Sequence, residues 1–307
     1  MHISDKMRRS PHTGYKSRDR GPVDFESRLH KEEGNIMPLA RKNVITAPPT
    51  TRIKEAAELM VRQNVRRLPI IDPGTKRLIG IVTTRDMINF LGGGEKFKII
   101  QNKFKGNFLA AVNDQVRTIM SEKIIHGTHD MSISEVAKLL LKTGMGGVPI
   151  IDEHGHVIGM ASERDFLSYI PPSTGTTVSY RMTRKVVTAE PELQIREAAK
   201  RMISKGVRRL PVVRFMELVG VITSVDILKY FGTSKMFEHM ATGKVDEALS
   251  MGVETIMTRD LITVTPETDI GEAALLMVER GCGGLPVVEE DELVAIITEH
   301  DMLELLA

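Results

Sequence analysis

The chain has one cysteine, no tryptophan, 4% aromatic residues and a net charge of only +2 across its 307 residues. A lone cysteine excludes an intrachain disulfide, so no disulfide framework holds the fold, and a reducing compartment suits it. Its setting, "GCGGLPV", reads as a small buried side chain at Cys282 rather than a reactive thiol. Few aromatics and 18 methionines point to aliphatic, adaptable packing, without tryptophan to serve as a base-stacking platform. Near-balanced charge removes any global argument for nucleic acid or an anionic membrane, so a basic site has to be local. No apolar run approaches the roughly 18 residues of a membrane span. The opening "MHISDKMRRSPHTGYKSRDRGP" lacks the apolar centre of a signal peptide. A cytoplasmic protein with no membrane contact is the expectation.

What the chain does have is a soluble composition, 41% apolar and 27% charged, and enough length for several compact units. It also has repetition. "VRRLPII" around Pro69, "MGGVPII" around Pro149, "VRRLPVV" around Pro211 and "CGGLPVV" around Pro286 align on their prolines. Each is followed by a second phrase: "GIVTTRD" (80–86), "GMASERD" (159–165), "GVITSVD" (220–226) and "AIITEHD" (295–301). Such self-similarity decides the architecture before any single residue does.

Each copy reads strand, helix, strand, strand, helix, an α+β unit. The opening strand is "NVITA", "KIIHG", "KVVTA" or "LITV", short and β-branched. The helix after it shows apolar residues at helical spacing, as with Ile53, Ala56, Ala57, Met60 and Val61. "SISE" (Ser132 to Glu135) and "DIGE" (Asp269 to Glu272) resemble capping boxes at two helix starts. The prolines are assigned to strand starts, where a missing N–H costs little. Copies one and three carry Arg-Arg before Leu-Pro, and copies two and four carry Gly-Gly, so a two-copy module has been duplicated whole. The expected boundaries are a basic polar tail at 1–35, copies at 36–92, 116–171, 172–232 and 253–307, and linkers at 93–115 and 233–252. In the first linker Phe97, Ile100, Phe104 and Phe108 fall on one inward face.

The second phrase ends in a hydroxyl and an aspartate three residues apart at a helix start, which by itself is a capping box. The same geometry suits a nucleotide. A helix N-terminus and a hydroxyl attract phosphate, and a carboxylate accepts from both hydroxyls of a ribose. Gly80, Gly159 and Gly220 would let a ligand approach the strand backbone. Arg66, Arg67, Arg208 and Arg209 supply cations, with Arg85 and Arg164 inside the motif.

Four in-order copies of "LP[IV][IV]" and "G-apolar-apolar-[TS]-x-x-D" resemble cystathionine β-synthase (CBS) domains, over about residues 36 to 306. The arrangement is similar to archaeal four-CBS proteins related to the γ subunit of AMP-activated protein kinase. The resemblance implies four CBS domains paired into two Bateman modules that form a disc. It implies a non-catalytic regulator and energy-state sensor binding AMP, ADP or ATP in clefts between paired domains. On the matching positions, Asp86, Asp165, Asp226 and Asp301 would bind ribose. Thr83, Ser162, Thr223 and Thr298 would meet phosphate, with Arg66, Arg67, Arg208 and Arg209 at the centre of the disc. Thr46, Thr188 and Thr263 would lie beside adenine, and copy two departs there with His126. Copy four departs with Ala295 in place of glycine.

No nucleophile elbow, P-loop or dinucleotide fingerprint occurs, and the repeats leave no room for the roughly 250 residues of a barrel enzyme such as inosine monophosphate dehydrogenase. The histidine pairs "HGTHD" and "DEHGH" lack a metal-site spacing, so neither a catalytic residue nor a metal ligand is assigned. Two other functions are kept beside the first: a nucleic-acid-associated regulator using the basic tail and "GGGEKFKIIQNKFKGN", and a CBS sensor of S-adenosylmethionine. A monomer or a dimer is expected, with a protein effector that the sequence does not name.

Overall fold

The computed structural model describes residues 34–233, 235–240 and 245–306, so the expected tail lies almost wholly outside the described residues. Copy one comprises α1 (Ile53–Arg62), β1 (Arg67–Ile71), β2 (Leu78–Thr83) and α2 (Thr84–Ile88). The first linker carries α3 (Phe97–Asn102) and α4 (Phe108–Val112). Copy two comprises β3 (Gly127–Thr128), α5 (Ile133–Thr143), β4 (Gly147–Ile151) and β5 (Val157–Ser162), then a 3₁₀ segment, Glu163–Tyr169, where a closing α-helix was expected. Copy three comprises α6 (Ile195–Lys205), β6 (Arg209–Arg214), β7 (Glu217–Thr223) and α7 (Ser224–Gly232). The second linker holds α8 (Lys235–Glu238) and α9 (Val245–Leu249), and copy four α10 (Ile270–Glu279), β8 (Gly284–Glu289), β9 (Glu292–Thr298) and α11 (Glu299–Leu306).

The Pro-led strand and the motif strand form the same antiparallel hairpin four times. Pro69 faces Ile81, Pro149 faces Met160, Pro211 faces Val221 and Pro286 faces Ile296. The prolines therefore sit inside strands rather than at their starts. Each is tolerated because the residue opposite turns its N–H and C=O outward, to the segment that leads into the partner copy. Ile81 exchanges both bonds with Ser121, Met160 with Arg41, Val221 with Thr258 and Ile296 with Thr183, at 2.8 to 3.0 Å. On the proline's own outer edge, Ala47 donates to the Pro69 carbonyl and accepts from Ile71. A parallel ladder cannot extend back toward Ile45, because its next bond would need the N–H that Pro69 lacks. The expected opening strands therefore shrink to single bridges, Ala47 to Ile70, Ala189 to Val212 and Val264 to Val287, with the two-residue β3 in copy two.

Those lead-in bridges join copy one to two and copy three to four. Helices join the modules: α1 packs on α7 and α6 on the turn after α2, while α5 and α10 pack on the closing helices of the opposite even copy. The hydrophobic interior accordingly divides in an unexpected way. One core combines copies one and three with both linkers, and the other combines copies two and four. In the linkers Ile100 and Phe108 are buried and Phe97 and Phe104 pack partly against the first core, with the Phe108 ring 6.2 Å from Phe231 and 6.1 Å from Phe237. Four copies thus stand at the corners of a closed disc, sheets joining one pair of sides and helices the other.

Capping follows the sequence at most helix starts. Ser132 and Glu135 form the expected reciprocal box. Asp269 caps α10 through the N–H of Gly271, but its carboxylate also takes the N–H groups of Thr174 and Gly175 and the Thr174 hydroxyl. The "DIGE" expectation is corrected accordingly: Asp269 anchors the inter-module connection.

Candidate functional site

The motif hydroxyls and aspartates form the same local structure in all four copies. The Oδ2 of Asp86, Asp165, Asp226 and Asp301 accepts from the backbone N–H and hydroxyl of Thr83, Ser162, Thr223 and Thr298 respectively, at 2.6 to 2.8 Å. One carboxylate oxygen is therefore spent on the helix start and the other, Oδ1, remains for a second partner. Burial holds the carboxyls of Asp226 and Asp301 above the ordinary range, although their threonine hydrogen bonds oppose it.

Each aspartate faces the lead-in segment of its partner copy, because the bridges that pass each proline bring that segment alongside. This explains the glycines of the second phrase. A methyl group at Gly80 would stand 2.5 Å from the Met120 sulfur, and one at Gly220 2.4 Å from that of Met257. At Gly159 it would meet Ala40 at 3.0 Å. These glycines receive side chains of the partner copy, which replaces the expected approach of a ligand at those points.

A cavity of about 530 Å³ runs through the middle of the disc. At one end it is lined by Ser162 and Asp165 with Asn43, Val44 and Ile45, and at the other by Thr223 and Asp226 with Leu261 and Ile262. Arg66, Arg67, Arg164, Arg208 and Arg209 line its centre. The expected adenine-side positions Thr46, Thr188 and Thr263 sit one residue before the single bridges; their neighbours Ile45 and Ile262 line the cavity. Thr83 with Asp86 and Thr298 with Asp301 lie outside the lining of this cavity, and two residues before each threonine the motif strand bridges to Ser121 and to Thr183. Arg85 turns away and donates to the Ile203 carbonyl at 3.0 Å. Cys282 is half-buried: it packs against the even-copy core and also lines the cavity.

The arginines reach across to the glycines of the even copies. A methyl at Gly146 would lie 1.9 Å from Arg208 Nη1 and 2.7 Å from Arg67 Nη2, and one at Gly284 only 1.8 Å from Arg209 Nη1. Arg209 donates to the Gly283 carbonyl. The Gly-Gly of copies two and four is thus the space that the Arg-Arg of copies one and three requires.

Sequence reasoning missed the anions of this centre. Glu163 and Glu299, each 1% exposed, stand between the motif hydroxyl and aspartate of the even copies, where the odd copies have buried Thr84 and Ser224. Glu163 accepts from Arg208 Nη2 and pairs with His300 Nδ1, both at 2.8 Å. Glu299 accepts from Arg164 Nε at 2.7 Å and Arg66 Nη1 at 3.4 Å. The pairs Arg208 with Glu163 and Arg66 with Glu299 cross the disc from copy three to two and from copy one to four. A signal did exist: copies with arginines have a small hydroxyl after the motif's first residue, and copies with glycines have glutamate.

The electrostatics follow from burial and pairing. Burial alone would raise the Glu163 carboxyl, but His300 and Arg208 bring it down to about 2. Burial likewise opposes ionisation of Glu299, and Arg66 and Arg164 overcome it, leaving it below the ordinary range. Desolvation draws Arg67 and Arg209 down to about 10, each also repelled by Arg208. The hydrogen bond to Glu163 raises His300 above its ordinary value. Five guanidinium groups thus face two buried carboxylates, an excess of three positive charges that an anion can satisfy. Among the described residues no group of three His, Cys, Asp or Glu side chains is placed to hold a metal ion, and no helix is long and apolar enough to cross a membrane.

The model of the CBS domain matches residues 35–93, 116–172, 178–233 and 253–307. Protein MJ1225 of Methanocaldococcus jannaschii is 37% identical over 89% of this chain and 99% of its own length. The crystal structure of MJ1225, described as a candidate archaeal homolog of γ-AMPK, has a TM-score of 0.85 at 37% identity, covering 89% of this chain and all of that one. A 33.4 kDa protein encoded in a ribosomal RNA operon of Thermofilum pendens is 28% identical over 88% of each chain. A conserved protein of Pyrococcus horikoshii shares the fold, with a TM-score of 0.57 at 20% identity over 89% of this chain.

Proposed function

This chain belongs to the CBS-domain family, and on that premise we propose that it is a non-catalytic regulator that binds AMP, ADP or ATP between paired copies and senses energy state. One observation carries the reading: a single cavity brings two motif aspartates, each with one free or weakly covered oxygen, to either side of an arginine centre with excess positive charge. Aspartate suits a ribose diol and the arginines suit phosphate, so the two ends of one nucleotide have complementary places. The relative described as a γ-AMPK homolog supports adenine nucleotides as the class. Glu163 and Glu299 hold the arginines in the absence of ligand, and phosphate competes with them. Ligand entry therefore loosens the pairs that tie diagonal copies together, which is a change a protein effector can read.

Isothermal titration with AMP, ADP, ATP, GTP, S-adenosylmethionine and adenosine tests this. In Arg67→Ala or Arg209→Ala, affinity for the phosphorylated adenine ligands is expected to fall at least tenfold while adenosine binding changes little. Asp226→Ala is expected to weaken all adenosine ligands in a chain that still folds, its melting temperature lowered by no more than the loss of one helix cap. Equal losses for adenosine and ATP in the arginine variants would refute the assignment of phosphate to the centre.

A further inference from the structure

The four motif aspartates are alike at Oδ2 and unlike at Oδ1. Among the described residues, Oδ1 of Asp226 and of Asp301 meets no donor. Oδ1 of Asp165 meets Nε of the largely exposed Arg41 at 3.3 Å. Oδ1 of Asp86 receives the ammonium of Lys96, with the Ser121 hydroxyl at 3.5 Å. The same ammonium donates to the Ile119 carbonyl, so it is held between copy one's motif and the segment leading into copy two. Asp86 is 13% exposed and Lys96 24%, far from the free surface of a typical linker lysine.

The backbone is built to deliver this lysine. After α2 the chain makes one π turn, Asn89–Gly93, containing Gly92 at φ +140°, a conformation that side chains other than glycine's rarely tolerate. A methyl at Gly93 would sit 2.8 Å from the Ile88 carbonyl, and one at Gly94 2.8 Å from Asn89 Oδ1. Asn89 Oδ1 then accepts the backbone N–H of Lys96 at 2.8 Å. The run "NFLGGGEK" thus folds back and sets Lys96 on the aspartate ten residues before it. In the second module α7 continues to Gly232, and the tenth residue after Asp226 is the buried Met236. Among the described residues, only the first module's linker brings a cation into hydrogen-bonding contact with its motif aspartate.

We infer that Lys96 is a built-in occupant of the Asp86 cleft. Its ammonium takes the carboxylate oxygen that a ribose diol needs, so this cleft is closed to nucleotides and the chain offers three ligand positions, at Asp165, Asp226 and Asp301. The inference rests on the nucleotide reading for the identity of the excluded ligand, and on the geometry alone for the closure.

Equilibrium dialysis of the full chain with AMP, and reductive methylation of the ligand-free chain, test the two parts. Asp86→Ala is expected to leave AMP stoichiometry and affinity at wild-type values. Lys96→Met, which copies the residue of the second module, is expected to add one AMP per chain, and Asp86→Ala on top of it to remove that one. A loss of one AMP per chain in Asp86→Ala alone would overturn the inference, as would a folded Lys96→Met that gains no site. Methylation of Lys96 is expected to be at least tenfold slower than that of Lys98, which is 62% exposed, and to speed up in Asp86→Ala. Equal rates would overturn the closure. If no variant binds AMP while Lys96 stays protected, the nucleotide reading fails and the closure stands; if Lys96→Met does not fold, methylation of the wild type and of Asp86→Ala decides.

Discussion

Glu163→Gln removes one negative charge from the arginine centre while keeping the size of the side chain. The carboxylate is 1% exposed and paired to Arg208 and His300 at 2.8 Å, and its fall from the ordinary 4.5 to about 2 measures how strongly the fold prefers it ionised. That fall corresponds to about 3 kcal/mol of stability at neutral pH, within the roughly 3 to 5 kcal/mol expected when one partner of a buried ion pair is removed. Because the folded carboxyl titrates below the unfolded one, this stability is complete above about pH 4.5 and is lost as the pH falls toward 2. Urea unfolding at pH 7 and pH 3 is expected to show a variant about 3 kcal/mol less stable at pH 7, with a smaller acid loss than the wild type. Binding should move the other way. A unit charge at roughly 8 Å and an effective dielectric constant near 20 is worth about 2 kcal/mol, so ATP affinity should rise tenfold or more. A variant with wild-type stability and acid sensitivity would refute the ionised pair, and a folded variant with weakened ATP binding would refute competition between Glu163 and phosphate.

Gly284→Ala places a methyl within 1.8 Å of Arg209 Nη1, so the guanidinium must leave the Gly283 carbonyl; a lower melting temperature and about tenfold weaker ATP binding are expected, read by calorimetry and titration. His300 has a raised folded pKa through its bond to Glu163, so its contribution is present below its ordinary 6.5 and lost as the pH rises through the raised value. His300→Asn should flatten the melting temperature as the pH rises above 6.5, and a wild-type profile already flat there would contradict the pairing.

The repeat itself was fully legible, because "LP" and the hydroxyl-x-x-Asp phrase recur at a fixed offset and each carries its own local chemistry, a hairpin and a cap. The opening strands were misjudged because β-branched composition describes a strand's own preference. What truncates them is a missing donor on the neighbour, Pro69 and its counterparts, and the prolines in turn depend on the residue opposite bonding outward to the partner copy. The cationic half of the centre was visible in "VRRLP". Its anionic half was not, since Glu163 and Arg208 lie 45 residues apart and Glu299 and Arg66 lie 233 apart. Each glutamate looks like an exposed helix-start residue until the disc closes over it. Lys96 was read as part of a basic amphipathic linker, and only the turn at Gly92 reveals that it points back to Asp86.

The division of the interior into one core from the odd copies and one from the even copies bears on how such a chain came to exist. The packing is reciprocal: α1 rests on α7 as α6 rests on the turn after α2, which is the self-complementary contact of a twofold symmetric pair. A single two-copy module would leave the odd and even faces of its helices bare, and a second identical module covers both at once. A homodimer of half-length chains is therefore the natural ancestor, and joining its subunits end to end released each half from having to match the other. Lysine at 96 against methionine at 236 is the kind of difference that a symmetric dimer, which must write every change twice, could never have kept on one side alone.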